Sequence, residues 1–332
     1  MRSWLVKGPL LLIFAIVLTE VYCWVAIPNI KIGPSFRQPD PELGMAQRKN
    51  YVGRRFTHDY DMVWTTGAQG FRGDSYPRDK AAGITRIASL GNSHTFGVGV
   101  EDDETYSELI GEGLGQAEVI NMAVTDAGTG IFLRTWDDIL SYQPDALVIR
   151  YDSWNFQRPF KHYLPGEGPL EARHYTQKTS PLTFLESTPL QHSGFWGLLR
   201  LRYTTISAGL SQTKCRLSTL RTVSSTECID NETDLARDRR VAQEARILAA
   251  FAEKISALEI PVIYLRFALR EPQAEVFEAL IPPLENVTVL DFSHLVGDPA
   301  YNFPVDLHLN RDGHTYVAER LTAELQKRLD RT

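Results

Sequence analysis

The hydrophobic pattern of this chain changes character twice. Near the start, Arg2 and Lys7 precede Gly8-Pro9-Leu10-Leu11-Leu12-Ile13-Phe14-Ala15-Ile16-Val17-Leu18-Thr19, and apolar residues resume after Glu20 to about Ile27. The stretch from Trp4 to Ile27 exceeds the roughly 20 residues that one tilted membrane crossing needs. A cleaved signal peptide fits less well, because Tyr22, Cys23 and Trp24 stand where small residues are required. Residues 1–30 therefore read as a short cytoplasmic tip and an uncleaved transmembrane helix. The basic N-terminus stays inside, which puts the C-terminal domain in a periplasm or outside the cell. Residues 31–83 are polar, with many Pro, Gly and Arg and no sustained periodicity, and read as an extended tether and lead-in.

A regular alternation then begins. Arg86–Leu90 is a short apolar run ending at Gly91, the pattern of a buried strand. The order continues as helix Glu104–Leu114, strand Glu118–Met122, helix Gly130–Tyr142 and strand Ala146–Tyr151. After a long interval it resumes with helix Asp234–Leu258, strand Pro261–Arg266, helix Glu271–Leu280, strand Val287–Asp291 and helix His314–Leu329. Strands separated by helices predict a parallel sheet covered on both faces, hence one α/β domain over 84–332. The segment 156–233 is too long for an ordinary connection and reads as an insertion. It leaves the C-terminal end of a strand, the edge where α/β ligand sites form, so it is expected to border the site.

Composition narrows the function classes. A 43% hydrophobic, 23% charged chain is an ordinary globular protein. A net charge of −6 without a local basic cluster excludes general attraction to nucleic acid. Three cysteines are too few for a disulfide-built scaffold. Cys215 and Cys228 are expected to pair in an oxidising compartment, closing a loop worth up to about 3 kcal/mol. No cysteine or histidine spacing resembles a metal site, and no cofactor motif is present. Glu20 is the odd residue of the predicted anchor, since an ionisable group in lipid costs about 2.5–3.5 kcal/mol. It reaches headgroups at the outer interface or contacts another membrane subunit.

Two loops carry candidate chemistry. Leu90-Gly91-Asn92-Ser93-His94-Thr95-Phe96-Gly97 follows a strand directly. A serine at a tight strand-to-helix turn exposes its hydroxyl at the sheet edge, with its own N–H available to an oxyanion. The bland alternative is that Asn92-Ser93 caps the next helix. Near the other end, Asp306 and His308 stand on one loop, suited to act as orienting acid and general base for the serine.

In these blocks the chain resembles the SGNH (GDSL-type) hydrolases, over most of 67–332. It looks most like the membrane-anchored bacterial subgroup with a Gly-Phe-Arg lead-in, here Gly70-Phe71-Arg72. Thr95-Phe96-Gly97-Val98-Gly99-Val100 and Glu104-Thr105-Tyr106 continue the serine block. Asn121-Met122-Ala123-Val124 with Gly128-Thr129, Asn155, and the Leu309-Asn310…Gly313-His314 tail resemble the later blocks. The resemblance implies a flavodoxin-like three-layer fold and a serine ester hydrolase or acyl transferase that uses no cofactor. Ser93 would be the nucleophile, His308 the base and Asp306 its partner. The Ser93 N–H and the Asn155 amide would hold the oxyanion.

Three positions depart from the family pattern. Asn92 replaces the usual Asp, and Asp306 stands two residues before His308 rather than three. The glycine that donates its N–H to the oxyanion aligns with Asp126, or with Gly128 after a small slip. Two functions follow. One is a membrane-tethered esterase, deacylase or acyl transferase acting on acylated glycan or lipid of the cell envelope. The other is a weak or inactive relative serving as an accessory or assembly subunit of a membrane complex. An inward Asp126 carboxylate about 4 Å from an oxyanion would oppose it by about 4 kcal/mol at an effective dielectric of about 20. Asp126→Gly is therefore expected to raise esterase turnover up to about a thousandfold, and an unchanged rate in a stopped-flow ester assay would place that side chain elsewhere.

Overall fold

The computed structural model describes residues 2–26, 36–40, 44–56, 59–115, 117–125, 128–157 and 234–330. The chain divides into two compact units, one of 1–36, 53–57 and 177–233 and the other of 37–52, 58–176 and 234–332. In the first, helix α1 spans Arg2–Ala26 and carries Glu20, which is half-buried. Among the described residues, no helix is long and apolar enough to cross a membrane. Most of the expected insertion, with Cys215 and Cys228, lies outside the described residues.

The second unit is built on a five-stranded sheet. In chain order the short strands of the lead-in come first: β1 (Arg37–Asp40), β2 (Gly44–Gln47), β3 (Tyr51–Phe56), of which 53–56 belong to the first unit, and β4 (Asp61–Thr66). The sheet follows with β5 (Thr85–Leu90), β6 (Ala117–Asn121), β7 (Ala146–Tyr151), β8 (Val262–Arg266) and β9 (Val287–Asp291). They lie in the order β6-β5-β7-β8-β9, with every neighbour pair parallel. The order reverses between β5 and β7, and crevices at such reversal points bind ligands at the C-terminal strand ends. Ser93 follows β5 and Asn155 follows β7, so the two loops flank that point.

Strand alternation feeds two cores. Leu147, Ile149 and Tyr151 of β7 and Val262 and Tyr264 of β8 face one side. There they meet α4 (Thr129–Arg134), α5 (Trp136–Leu140), α7 (Asp234–Ser256) and α8 (Gln273–Leu280). Ala146 and Val148 of β7 and Ile263 and Leu265 of β8 face the other, against α3 (Tyr106–Leu114) and α9 (Arg311–Leu329). This is a three-layer α/β arrangement. The sequence elements shift slightly. The helix expected over Glu104–Leu114 is a 3₁₀ turn, Asp102–Glu104, followed by α3, because Thr105 is extended and caps α3 through Glu108 N–H. The helix expected over Gly130–Tyr142 is broken at Thr135 into α4 and α5.

The lead-in is more ordered than its composition suggests. β4 buries alternate residues, with Met62 and Trp64 only 1% and 2% exposed. Its Val63 and Thr65 N–H groups donate to the carboxylates of Glu101 and Asp102. Arg72 is buried, pairs with Asp102 and donates to the Phe96, Gly97 and Val100 carbonyls at 3.1, 3.2 and 2.8 Å. The Gly-Phe-Arg motif thus stitches the lead-in to the loop behind the serine.

His314 is fully buried in the first turn of α9, and its Nδ1 accepts the Tyr106 N–H at 3.1 Å. It serves the docking of α9 on the start of α3, whose first N–H groups have no intrahelical acceptor. Burial, followed by the nearby Arg72 and Arg150 charges, lowers its pKa to about 3. Below the ordinary imidazole range near 6.5, the unfolded chain takes up a proton that the native state refuses. Stability is therefore expected to fall progressively as pH drops from about 6.5 towards 3. Urea titrations of His314→Asn should show a smaller loss over that window, and an identical pH slope would remove His314 as its source.

Candidate active site

The nucleophile turn is shaped by crowding. Gly91 follows β5 where a Cβ would stand 1.9 Å from Thr95 Oγ1 and 3.1 Å from Arg150 Cβ, so no larger residue fits. Asn92 is the N-cap of α2 (Ser93–Phe96), its side-chain oxygen accepting the His94 N–H at 3.1 Å. Gly97 closes α2 at φ 82°, a left-handed conformation that favours glycine. Ser93 is the first residue of that helix, so its N–H has no intrahelical acceptor. The capping role and the nucleophile role are therefore compatible: Asn92 caps, and Ser93 is presented.

His308 reaches this turn from 215 residues away, with Nε2 2.7 Å from Ser93 Oγ. Its Nδ1 is hydrogen-bonded to Asp306 Oδ1. Both side chains reach one side of the loop because Leu307 between them adopts φ 64°. A left-handed non-glycine residue costs about 1–2 kcal/mol, and here it makes the shorter Asp-x-His spacing workable. The loop is held by Phe303 N–H to the His308 carbonyl at 2.9 Å and Leu307 N–H to the Phe303 carbonyl at 3.1 Å.

The lead-in completes the support. Tyr60 O–H donates to Asp306 Oδ2 at 2.9 Å, and Asp59 Oδ2 accepts the Val305 and Asp306 N–H groups at 3.0 and 2.6 Å. Tyr60 also packs on Phe303, with ring centroids 5.0 Å apart. The sequence pattern did not reveal Asp59 and Tyr60, which lie in a polar segment without periodicity, 246 residues from the loop they hold. The His94 ring lies 4.4 Å from that of His308. Desolvation, then the Arg150 charge, pushes the His94 pKa well down, so the ring beside His308 is neutral.

Asn155 sits in α6 (Ser153–Gln157) just beyond β7 and is buried. Its Oδ1 accepts the Asp152 N–H at 3.1 Å, and its Nδ2 donates to Thr129 Oγ1 at 3.1 Å. Asp152 Oδ2 in turn accepts Asn92 Nδ2 at 3.1 Å and Arg150 Nε at 3.0 Å. Asn92 Nδ2 thus ties the turn after β5 to the Asp152 carboxylate across the strand-order reversal. Gly128 is the extended N-cap of α4. Asp126 lies outside the described residues. Among the described residues, no group of His, Cys, Asp and Glu is placed to hold a metal ion.

No family model matches the chain, and neither does any curated protein. Solved structures similar to it include that of a "putative lipolytic protein of G-D-S-L family" from Desulfitobacterium hafniense DCB-2. That match has 13% identity and a TM-score of 0.38, and covers 72% of this chain and 98% of that one. BT4096, a gut microbial diltiazem-metabolizing enzyme, matches at 12% identity and a TM-score of 0.36, over 71% of this chain and 45% of that one. A catalytic mutant of Axe2, an acetylxylan esterase from Geobacillus stearothermophilus, matches at 13% identity and 0.27, over 75% and 96%.

A hydrogen bond to a charged acceptor is worth about 1.5–3 kcal/mol when lost. Tyr60→Phe removes one from Asp306 while keeping the packing on Phe303, so kcat/KM on a simple ester is expected to fall about tenfold. Steady-state kinetics beside a thermal melt would check this, and an unchanged kcat/KM would mean that Asp306 is held without Tyr60.

Proposed function

We propose that this chain is a serine ester hydrolase or acyl transferase, tethered to a membrane by its N-terminal helix and acting on acylated glycan or lipid of the cell envelope. The observation that carries the proposal is the run of contacts Ser93 Oγ–His308 Nε2, at 2.7 Å, and His308 Nδ1–Asp306. Neutral His308 takes the Ser93 proton as Oγ bonds to the ester carbonyl carbon. Asp306 keeps the other imidazole proton on Nδ1 and stabilises the imidazolium. The carbonyl oxygen becomes an oxyanion, met by the Ser93 N–H and the Asn155 amide. His308 then returns its proton to the leaving alkoxide, and the carbon–oxygen bond breaks to give acyl-Ser93. Water, or an acceptor hydroxyl in the transfer case, repeats the sequence with His308 again as base.

The capping of α2 by Asn92 supports this role for Ser93, because it frees the serine side chain from helix capping. The membrane tether rests on the apolar run 4–27, and the envelope substrate follows from that placement. Treatment of the detergent-extracted full chain with a fluorophosphonate is expected to label the wild type and not Ser93→Ala. A folded wild type that takes no label would count against turnover and favour the accessory-subunit reading, with partners sought by mild extraction.

A further inference from the structure

Helix α7 packs on the sheet through Val241, Leu248, Phe251 and Ile255, all buried at helical spacing. On the same helix Glu244 is 0% exposed, a carboxyl placed on an apolar stripe. Burying such a group without compensation costs several kcal/mol, so its contacts call for an explanation. Its Oε1 accepts the Thr129 hydroxyl at 2.6 Å and the Tyr151 hydroxyl at 3.1 Å. Thr129 Oγ1 in turn accepts Asn155 Nδ2 at 3.1 Å.

We infer that Glu244 is a positioning residue of the reaction, acting through Thr129 to hold the Asn155 amide in the orientation that serves the oxyanion. This rests on the hydrolase reading above. Hydrogen-bond polarity carries the argument. A threonine hydroxyl has one hydrogen, and Glu244 Oε1 takes it, leaving Thr129 Oγ1 as an acceptor for Asn155. The amide is then fixed at both ends, because Asp152 N–H occupies Oδ1 and Thr129 occupies one Nδ2 hydrogen. The second Nδ2 hydrogen is left for the substrate oxygen. Without Glu244 the Thr129 hydroxyl can turn and donate instead, which favours the flipped amide. Burial also raises the Glu244 pKa to about 8, the hydroxyl partners opposing the shift. At neutral pH it is therefore an uncharged acceptor that does not repel an oxyanion.

The test compares Glu244→Leu, Glu244→Gln and Thr129→Val in the full chain, with p-nitrophenyl acetate as substrate and the Asn155 side-chain amide followed by ¹⁵N NMR. A weakened oxyanion donor costs up to about 10²–10³ in rate, so Glu244→Leu and Thr129→Val are expected to lower kcat about 10–100-fold. KM should stay within about twofold, because the lost interaction belongs to the transition state. Glu244→Gln, whose amide oxygen still accepts from Thr129, should restore kcat. The double variant Glu244→Leu/Thr129→Val should be no worse than either single one. The Asn155 amide resonances should move in the Leu and Val variants and stay in the Gln variant. If they do not move, or if kcat is unaffected in both, the inference is overturned. If the wild type neither turns over ester nor takes the phosphonate label while those resonances respond, the positioning network stands and the hydrolase reading falls.

Discussion

Asp152 is the constraint on which this structure turns. It is 7% exposed, and a buried carboxylate must be paired and hydrogen-bonded to persist. Arg150 Nε and Asn92 Nδ2 meet one oxygen, and the Trp154 N–H meets the other at 2.9 Å. Arg150 is itself buried, stacked over the Phe267 ring at 3.3 Å. These bonds tie the turn after β5 to the turn after β7, the two loops that flank the reversal of strand order. Removing the carboxylate would leave a guanidinium buried and the Ser93 turn unanchored at once.

A second constraint works across long chain separations. His308 and Asp306 stand on one loop, and that loop is held by backbone bonds to Asp59 and a tyrosine hydroxyl from the lead-in. The lead-in is held by Arg72 and by the Glu101 and Asp102 carboxylates behind α2. The serine turn, the histidine loop and the lead-in therefore brace one another. Strain at Leu307 is tolerated because this bracing over-determines the loop.

Polar burial occurs at both ends of the parallel strands. Arg86, fully buried at the start of β5, is satisfied by Glu118 and by the Arg78 and Tyr142 carbonyls at 3.0 and 2.9 Å. Glu244 lies on the opposite side of β7 from α3 and α9, where Tyr151 and Thr129 receive it. Each of these groups would be cheaper as a leucine by burial alone. Arg86 braces the N-terminal ends of β5 and β6, whereas Glu244 is linked through Thr129 to Asn155.

Much of this was legible in the sequence. Short apolar runs separated by amphipathic stretches were enough for a parallel α/β sheet, because strand and helix periodicities are local properties. Gly91-Asn92-Ser93 and Asp306-Leu307-His308 were readable as candidate chemistry for the same reason. What only the tertiary structure decided were the partnerships. That Asn92 is tied to Asp152, that Tyr60 holds Asp306, and that Glu244 reaches Asn155 through Thr129 all depend on contacts between distant segments. Glu244 left one trace in the sequence, a carboxyl at an apolar helix position, but periodicity does not say what receives it. Hydrogen-bond partners are set by where strands and helices pack, and that is a property of the whole chain rather than of any window along it.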